Sequence, residues 1–571
     1  MSTTSLPMKA TRVRWTASRR LIALALGLAA PGTAPLHAQS ANPRVDSIFA
    51  TFDKRDAPGC AVAVVDSGRT VFAKGYGMAS LEHDVPITPT SAFYAASVSK
   101  QFTAFAVAML AQQGKLSLDD DIRKWFPEVP DFGKTITVRH LIHHTSGLRD
   151  YFGLLGMTGW PSDGPVTEAR FLDLVSRQKA LNFDPGARHL YSNTGYVLLS
   201  ILVKRVSGKS LREFADEAMF RPLGMSNSHF RDDHTTLVKN RALAYSPRGA
   251  TWQMNVPGFD VVGDGGLYTT VEDLAKWARN FDDRTVGGEE LAARVLTRGR
   301  LSSGDSIPYA YGLAHNVYRG QPTIEHGGAY GGYRTHLIRF PSHRFAVATL
   351  CNTATANAAQ LGQAVAAVYL GDRLGPVAAQ VANGRPSTVS TIRLTREQLT
   401  RYAGAYWDAR TETMRRIEVR DSALAVTGTP ILLLPVSETA FRANTANASF
   451  TFGLERDGSI AMEETAPSGE KFTYRRMPAP KTDARALAEY AGDYISDELD
   501  VMWRIAVRDG GLVVRRAAVP DITLQPVFTD AYNSPAGVVR FARATNGRVT
   551  GLVIGAGRVT GFVFRRASGA Q

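Results

Sequence analysis

Two residues of complementary chemistry stand three positions apart in residues 95–102. Ser97 carries a hydroxyl and Lys100 an amine, and apolar residues follow at helical spacing, which predicts that the pair shares one face of a helix near its N-terminus. Such a pair can act as nucleophile and base if the amine loses its proton. Four residues are a weak pattern in a chain of 571 residues. The rest of the sequence must therefore supply partners.

Two further motifs carry groups that would complete such a site. The first joins a phenol to an amide and the second joins a histidine to glycines: Tyr191-Ser192-Asn193 and His326-Gly327-Gly328-Ala329. Each residue alone has a structural alternative, such as a helix cap, a turn or a buried histidine. The chain order S-x-x-K, Y-x-N and H-x-G favours one shared site instead.

In this order the motifs resemble those of the serine β-lactamase and penicillin-binding-protein superfamily. Class C β-lactamases and their esterase and D-peptidase relatives are nearest in pattern. Residues 141–148 and 265–274 are also similar to that family, and the resemblance covers about residues 45–370. It implies an α/β (α+β) domain of the β-lactamase/transpeptidase type, with a mainly antiparallel sheet and a helical region.

The resemblance also implies a role for each residue. Ser97 would be the nucleophile, Lys100 the base once desolvation lowers its pKa, and Tyr191 the group that moves protons to the leaving group and from water. The expected substrate-binding residues are Asn193, His326, Gly327, Gly328 and Ala329. The backbone N–H groups of Ser97 and Ala329 would form an oxyanion hole.

His326 departs from many of those relatives, which carry lysine at this position. A histidine with a pKa of about 6.5 is mostly neutral near pH 7 and offers no fixed charge to a carboxylate. This favours amides, esters or peptides whose essential contact lies elsewhere, such as a free amine. We expect a serine hydrolase that acts through a Ser97 acyl-enzyme. Its activity is expected to be that of a D-aminopeptidase, a carboxylesterase or a β-lactamase, the first two being the leading hypotheses. The alternative is a penicillin- or peptidoglycan-binding protein without efficient turnover.

Strands at both ends of a helical middle section must position these residues. The predicted strands are a hairpin within residues 58–78 and the segments 311–313, 334–340 and 345–351. The predicted helices are the S-x-x-K helix ending near Gly114, a helix from Val271 capped by Thr269 or Thr270, and residues 356–370. We therefore predict one hydrolase domain, residues 39–380, whose sheet is assembled from both of its ends.

The sequence repeats itself after a predicted linker at residues 381–394. Its Leu, Tyr-Ala-Gly and Tyr motif occurs at Leu399, Tyr402-Ala403-Gly404 and Tyr406 and, 88 residues later, at Leu487, Tyr490-Ala491-Gly492 and Tyr494. We predict two small all-β barrels, residues 395–480 and 481–571, in which the motif serves packing rather than binding. This layout is similar to bacterial D-aminopeptidases, in which a barrel loop helps to shape the active site. The barrels could also be shields or spacers.

Residues 1–38 have the pattern of a secretory signal. Basic residues precede an apolar run of about ten residues, shorter than the roughly 20 that a membrane span needs, and cleavage is predicted after Ala38. The mature protein is expected to be periplasmic or secreted, by a general or a twin-arginine route, with no stable membrane span. Removal of the signal lowers the formal charge from +14 to +9. The basic residues are scattered, so we expect no nucleic-acid partner, only small-molecule or peptide substrates, peptidoglycan-derived peptides among them.

Two cysteines and three neighbouring histidines complete the reactive residues. Cys60 and Cys351 lie in apolar, β-branched runs. An exported protein could pair them, but we expect two buried free thiols, because neighbouring strands seldom present the geometry of a disulfide. His140, His143 and His144 have neither an H-E-x-x-H motif nor a cysteine ligand beside them. We therefore expect no metal and no cofactor.

Overall fold

The computed structural model describes residues 42–161, 164–376, 391–444, 448–466, 470–516 and 519–567. The predicted signal peptide, residues 1–38, lies outside these ranges, as does most of the predicted linker at 381–394. Within the described ranges no helix is long and apolar enough to cross a membrane.

The first part of the chain alternates short strands with helices. Its strands are β1 (Cys60–Asp66), β2 (Arg69–Tyr76), β3 (Met78–Ser80), β4 (Val85–Pro86), β5 (Phe93–Tyr94), β6 (His229–Phe230), β7 (Tyr245–Arg248), β8 (Thr251–Met254), β9 (Leu267–Thr269), β10 (Ala314–Tyr318), β11 (Gln321–Tyr330), β12 (Tyr333–Phe340) and β13 (Phe345–Cys351). Its helices are α1 (Pro43–Phe49), α2 (Lys100–Gln112), α3 (Val138–Ile142), α4 (Tyr151–Thr158), α5 (Glu168–Ser176), α6 (Asn193–Ser207), α7 (Leu211–Ala215), α8 (Arg221–Leu223), α9 (Val271–Asp283), α10 (Gly288–Val295) and α11 (Ala358–Leu370).

A six-stranded antiparallel sheet, ordered β10-β11-β12-β13-β1-β2, forms the frame of this part. Strands from the two ends of the segment meet where β1 pairs with β13, as predicted. Successive side chains of a strand point to opposite faces, so a strand with only apolar side chains contributes residues to the hydrophobic cores on both faces of the sheet. Ala61 and Ala63 accordingly join the large core that contains α2, whereas Val62 and Val64 pack with α1 and α11. The expected fold class is confirmed.

One predicted strand was misplaced. Residues 311–313 form a turn, and β10 begins only at Ala314. Gly312 explains the shift, because its φ is 71° and a Cβ there would lie 2.4 Å from the backbone nitrogen of Gln101. The left-handed φ of this glycine lies outside the β region, so a regular strand can begin only after it. At α9 the cap is Thr270, whose hydroxyl accepts from the backbone N–H of Asp273.

The C-terminal part consists of two closed antiparallel barrels. The first contains α12 (Arg396–Thr400) and β14 (Gly404–Asp408), β15 (Thr413–Arg420), β16 (Ala423–Val426), β17 (Leu432–Pro435), β18 (Ala440–Ala443), β19 (Ser449–Leu454), β20 (Ile460–Thr465) and β21 (Lys471–Arg476). The second contains α13 (Ala484–Tyr490) and β22 (Gly492–Ser496), β23 (Val501–Arg508), β24 (Gly511–Arg516), β25 (Val519–Phe528), β26 (Ala531–Ser534), β27 (Gly537–Arg543), β28 (Val549–Gly555) and β29 (Phe562–Arg566).

The repeated tyrosine motif makes the same contact in both barrels. The hydroxyl of Tyr406 donates to the carbonyl of Tyr402 at 2.8 Å, and Tyr494 donates to Tyr490 at the same distance. All four tyrosines are buried in their barrel cores. The intervening chain is thereby tied back onto the short helix that precedes β14 or β22. These contacts support the packing role that the repeat predicts.

The prediction of two free thiols was wrong, because Cys60 and Cys351 form a disulfide. The two residues are direct partners in the register of β1 and β13, with Cα atoms 4.0 Å apart. The adjacent pair carries the ladder bond, from the N–H of Asn352 to the carbonyl of Gly59. The cysteines therefore occupy a non-hydrogen-bonded position, where facing side chains are closest. Register decides this geometry, and residue type does not reveal register.

Loss of this disulfide should lower stability without rearranging the site. The bond closes a loop of 291 residues, and removal of a native disulfide costs about 2–5 kcal/mol. We expect Cys60→Ala/Cys351→Ala to lower the free energy of unfolding by that amount in urea titrations. Unreduced wild-type protein should show no free thiol under denaturing conditions. One or two titratable thiols in protein made in an oxidising compartment would contradict the pairing.

Candidate active site

Ser97 lies on a 3-10 turn, Ala96–Ser99, that runs directly into α2. Ala96 has φ 47°, in the left-handed region that a residue with a Cβ seldom adopts. Local strain of this kind, here in the residue before Ser97, is typical of functional sites. Ser99 has a different task, since its hydroxyl accepts from the backbone N–H of Leu267 and so fixes the neighbouring β9. The shared face predicted for Ser97 and Lys100 is present.

The amine of Lys100 is fully buried and points at Ser97. Its Nζ donates to Ser97 Oγ at 3.1 Å, to Asn193 Oδ1 at 2.9 Å and to the backbone carbonyl of Asp264 at 2.6 Å. The Tyr191 ring centre is 4.9 Å from the same nitrogen. Three elements distant in sequence therefore converge on one amine, and these hydrogen bonds hold it against the Ser97 hydroxyl.

Burial changes the protonation of two coupled groups here. Removal from water lowers the pKa of Lys100, while the negative charges of Asp264 and Asp150 act in the opposite direction. Burial likewise raises the pKa of Asp264, against the positive charge of Lys100. A lysine with a lowered pKa can be neutral in a useful fraction of molecules and can then accept a proton from Ser97.

Asn193, the first residue of α6, links Lys100 to a buried carboxylate. Its side-chain N–H donates to Asp150 Oδ2 at 3.0 Å, and its backbone N–H donates to the same oxygen at 2.7 Å. Since the Oδ1 atom faces the lysine, the amide has one N–H left for a substrate. The predicted substrate-binding residue is thus also the residue that positions the amine.

The hydroxyl of Tyr191 is buried beside Ser97. It neither donates nor accepts a hydrogen bond of ordinary geometry among the described residues. Burial raises the pKa of Tyr191, and the nearby Ser97 hydroxyl and Arg558 guanidinium partly offset this rise. The ring stacks on His144 with centres 4.2 Å apart. An unpaired phenol next to the nucleophile is free to exchange a proton with bound substrate or water.

His326 is buried, lines the same cavity as Ser97 and is held at both ring nitrogens. Its Nδ1 lies 2.6 Å from the carbonyl of Gly327, so this nitrogen carries the proton. Its Nε2 lies 2.9 Å from the hydroxyl of Tyr309, which donates to it. Burial, together with the charge of Lys100, lowers the pKa of His326 to about 3. The residue is neutral at physiological pH, as its type suggested.

Gly328 sets the distance between β11 and the nucleophile turn. A Cβ at Gly328 would lie 2.4 Å from the carbonyl oxygen of Ala95, whereas one at Gly327 would make only ordinary contacts. The Thr335 hydroxyl, on β12, donates to the same Ala95 carbonyl at 2.8 Å. Both contacts hold the edge that carries Ala329 next to Ser97, and all four residues of the H-x-G motif line the cavity.

The second barrel closes one side of this cavity, which has a volume of about 800 Å³. The turn between β28 and β29 carries Arg558 into it, with the guanidinium 4.6 Å from the Tyr191 ring centre. Below the turn, Arg149 and Glu498 form a buried ion pair at 2.8 Å. The indole of Trp503 donates to the carbonyl of Met157. The barrel is therefore packed onto the hydrolase part, and its turn belongs to the site.

The three histidines considered as zinc ligands have separate surroundings. His143 packs edge-on against Tyr311, and His144 stacks on Tyr191, while His140 completes the N-terminal capping box of α3. The possible metal-binding group among the described residues is a different, largely exposed one: Asp233, His234 and Asp260.

Three charged residues at this site were missed by sequence analysis: Asp150, Asp264 and Arg558. Asp264 directly precedes the family-like stretch 265–274, and Asp150 lies two residues beyond the stretch 141–148, so extending those stretches could have found them. Arg558 had no such signal, because only the fold of the second barrel brings it to the site.

Known proteins share both sequence and fold with this chain. The protein-family model "Beta-lactamase" matches residues 45–370. A D-aminopeptidase of Gluconobacter oxydans is 27% identical over 449 residues, covering 78% of this chain and 80% of that protein. A D-aminopeptidase of Brucella canis is 28% identical over 532 residues, covering 89% of this chain and 96% of that protein. The crystal structure of a penicillin-binding protein from Bacillus halodurans is 26% identical, with a TM-score of 0.50, and covers 57% of this chain and 98% of that one.

A serine and a buried lysine on an antiparallel sheet and helical frame define a serine hydrolase of the β-lactamase fold. The family match covers more than half of the residues, and the chain therefore belongs to the beta-lactamase family. The resemblance drawn from the three motifs is confirmed.

The buried amine predicts how acylation depends on pH. The rate of Ser97 labelling by a fluorophosphonate should rise with pH, with its midpoint below the ordinary lysine pKa of about 10.4. Because the charge of Asp264 raises the pKa of Lys100, Asp264→Asn should move this midpoint to lower pH. Asp260→Asn, at a carboxylate bonded to His234, is the control. A midpoint that stays or rises in Asp264→Asn would contradict the assignment.

Buried neutral histidines predict loss of stability in mild acid. Burial lowers the pKa of His143 and His336 to about 4, so the unfolded chain binds protons below about pH 6.5 that the folded chain does not. Each such histidine should therefore lower the free energy of unfolding by about 1.4 kcal/mol for every unit by which the pH falls between about 6.5 and about 4. Urea titrations near pH 7 and near pH 5 should show this loss, and His336→Gln should reduce it by one group's share. The exposed His83→Gln is the matched control; an equal pH dependence in wild type and His336→Gln would refute the prediction.

Proposed function

We propose that the protein is an exported serine hydrolase that cleaves an amide, ester or peptide bond through a Ser97 acyl-enzyme. The observation that carries the proposal is the fully buried Lys100 amine, 3.1 Å from the Ser97 hydroxyl. Burial of a charged lysine costs much free energy unless hydrogen bonds stabilise the charge or the amine becomes neutral. A neutral amine in this position can accept the Ser97 proton.

Acylation would proceed as follows. Ser97 Oγ attacks the substrate carbonyl carbon while its proton passes to neutral Lys100 Nζ. The oxyanion then accepts from the backbone N–H groups of Ser97 and Ala329, each worth about 3–4 kcal/mol in comparable sites. Tyr191 relays the proton to the leaving nitrogen or oxygen as the bond from that atom to the carbonyl carbon breaks. The product of this step is the Ser97 ester and a free amine or alcohol.

Deacylation would reverse the proton path. A water molecule replaces the leaving group, gives a proton to the Tyr191 and Lys100 pair, and attacks the ester carbonyl. Collapse of the intermediate returns a proton to Ser97 Oγ and releases the acid. His326 is neutral and already bonded to Tyr309, so its role would be to shape the cavity and present Gly327 and Gly328 rather than to supply charge.

Relatives and layout favour a D-aminopeptidase- or esterase-like activity. The relatives from Gluconobacter oxydans and Brucella canis are named D-aminopeptidase. The alignment with each of them includes part of the barrel region as well as the hydrolase part. Export by the signal at residues 1–38 would give access to small peptides, including those derived from peptidoglycan. We also propose the domain limits expected above: 39–380 for the hydrolase, and 395–480 and 481–571 for the barrels. The alternative, supported by the similarity to a penicillin-binding protein, is acylation without efficient turnover.

Covalent labelling tests the proposal directly. We expect a fluorophosphonate to form an adduct at Ser97, located by mass spectrometry after proteolysis. Lys100→Ala should abolish labelling while circular dichroism shows an intact fold. Ser99→Ala, which changes the neighbouring hydroxyl of the same turn, should still be labelled at Ser97.

A fluorescent penicillin separates turnover from simple acylation. A long-lived penicillin adduct would favour the binding protein, whereas rapid release or labelling by the phosphonate alone would favour a hydrolase. If neither reagent forms an adduct at Ser97, the proposal that the protein is a serine hydrolase is refuted. If Lys100→Ala is labelled at the full rate, the assignment of Lys100 as the base is refuted.

A further inference from the structure

The charges that face the Ser97 cavity are unevenly distributed. Among the described residues that line it, those with acidic or basic side chains are Asp264, His326, Arg334 and Arg558. Asp264 is buried, and its carboxylate accepts from the Tyr151 hydroxyl. His326 is neutral and held at both nitrogens. The charges left for a substrate to meet are therefore two guanidinium groups.

The turn that carries Arg558 is held by its backbone, not by this side chain. The carbonyl of Arg558 accepts from the backbone N–H of Asp150 at 3.2 Å and from the side-chain N–H of Asn182 at 2.9 Å. The backbone N–H of Thr560 donates to the Asn182 oxygen at 2.8 Å, and Val559 is fully buried in the main core. The guanidinium is consequently not needed to fix the turn.

The Arg558 guanidinium has unused donors. Its nearest carboxylate oxygen, Asp150 Oδ2, is 3.9 Å away and already accepts two bonds from Asn193. None of its N–H groups donates a hydrogen bond to a residue in the described part of the chain, and the side chain is 49% exposed. A guanidinium carries five N–H donors in a planar fork that matches a carboxylate. This guanidinium lies over the Tyr191 ring, and both side chains line the cavity that contains Ser97.

Arg334 adds positive charge from β12. Its Nη1 donates to the carbonyls of Gly331 and Tyr333, at 3.0 and 2.7 Å, which fixes its orientation. The register of β12 pairs Arg334 with Ala329, so this cation stands beside the strand position expected to stabilise the oxyanion. Both cations would attract an anionic substrate and repel an amine.

We propose that this site selects substrates that carry a carboxylate close to the scissile bond, and that Arg558 of the second barrel binds that carboxylate in a bidentate manner. The inference rests on the hydrolase function proposed above and narrows it. The favoured substrates are acid-bearing amides, esters or peptides, rather than the free-amine substrates that the histidine of the H-x-G motif first suggested. Of the activities proposed above, the inference therefore favours the esterase-like one over the D-aminopeptidase-like one. The second barrel thereby contributes specificity, because Arg558 meets the substrate itself.

Matched substrates that differ only in charge test this selection on either side of the bond. For the acyl side, para-nitrophenyl hydrogen glutarate is compared with its methyl ester. For the leaving-group side, benzoylglycyl thioglycolate is compared with the corresponding thioglycolamide. In at least one pair we expect kcat/KM for the acid to exceed that for the neutral partner by about tenfold or more, and Arg558→Gln to reduce that ratio by about tenfold, as loss of a charge-assisted bidentate contact predicts.

Two further variants make the result specific. Arg558→Lys keeps the charge without the fork and should retain an intermediate ratio. Arg548→Gln, at an exposed arginine on the turn before β28, is the matched control and should keep the wild-type ratio. If Arg558→Gln fails to fold, the wild-type ratio should still fall as ionic strength rises, because salt screens the attraction of an exposed cation.

The outcomes separate the two proposals. Ratios near one for both pairs in the wild type, or a ratio unchanged by Arg558→Gln while Ser97 is still labelled, would overturn carboxylate selection and leave the hydrolase standing. Faster turnover of a matched substrate with a quaternary ammonium group would also overturn it. Failure of Ser97 to react with the phosphonate would overturn the hydrolase and, with it, the selection.

Discussion

The amine of Lys100 imposes the constraint on which the rest of the site depends. An ammonium group removed from water is costly unless acceptors surround it or its proton leaves. Here the acceptors come from the nucleophile turn, from the first residue of α6 and from the carbonyl that precedes β9. Each of these elements must be in place before the lysine can be buried. The arrangement of these elements in the helical region is therefore required for the burial of the Lys100 amine.

The same constraint limits which charges can stand nearby. The positive charge of Lys100 helps to keep His326 neutral, and the charge of Arg558 helps to lower the pKa of Lys100. A lysine in place of His326 would add a second buried cation to this region, whereas a neutral imidazole avoids that repulsion. Permanent positive charge is found instead at the more exposed Arg558, where solvent reduces its cost. The charged groups are thus arranged around one buried amine whose pKa is lowered.

Local patterns predicted the parts of the structure that depend on neighbouring residues. The spacing of Ser97 and Lys100 predicted a shared helical face, and the tyrosine repeat predicted two barrels. Contacts that depend on the register of distant strands could not be predicted in this way. Cys60 and Cys351 face each other only in one register of β1 and β13, and a slip of one residue would send one of the side chains to the opposite face. The sequence could have drawn attention to Asp150 and Asp264, which stand beside stretches similar to the family, but only the folded chain shows that their charges act on Lys100.

The two barrels show why a repeat can conceal a residue that reaches the site. Their tyrosine motifs coincide because both barrels must make the same hydrogen bond in the core. The sequences before the last strand have no such requirement: residues 466–470 read APSGE in the first barrel, and residues 556–561 read AGRVTG in the second. Residues 556–561 form the turn that meets the hydrolase part at Asp150 and Asn182. A comparison of the repeats emphasises the shared packing residues, whereas the residue that meets the active site lies where the copies differ.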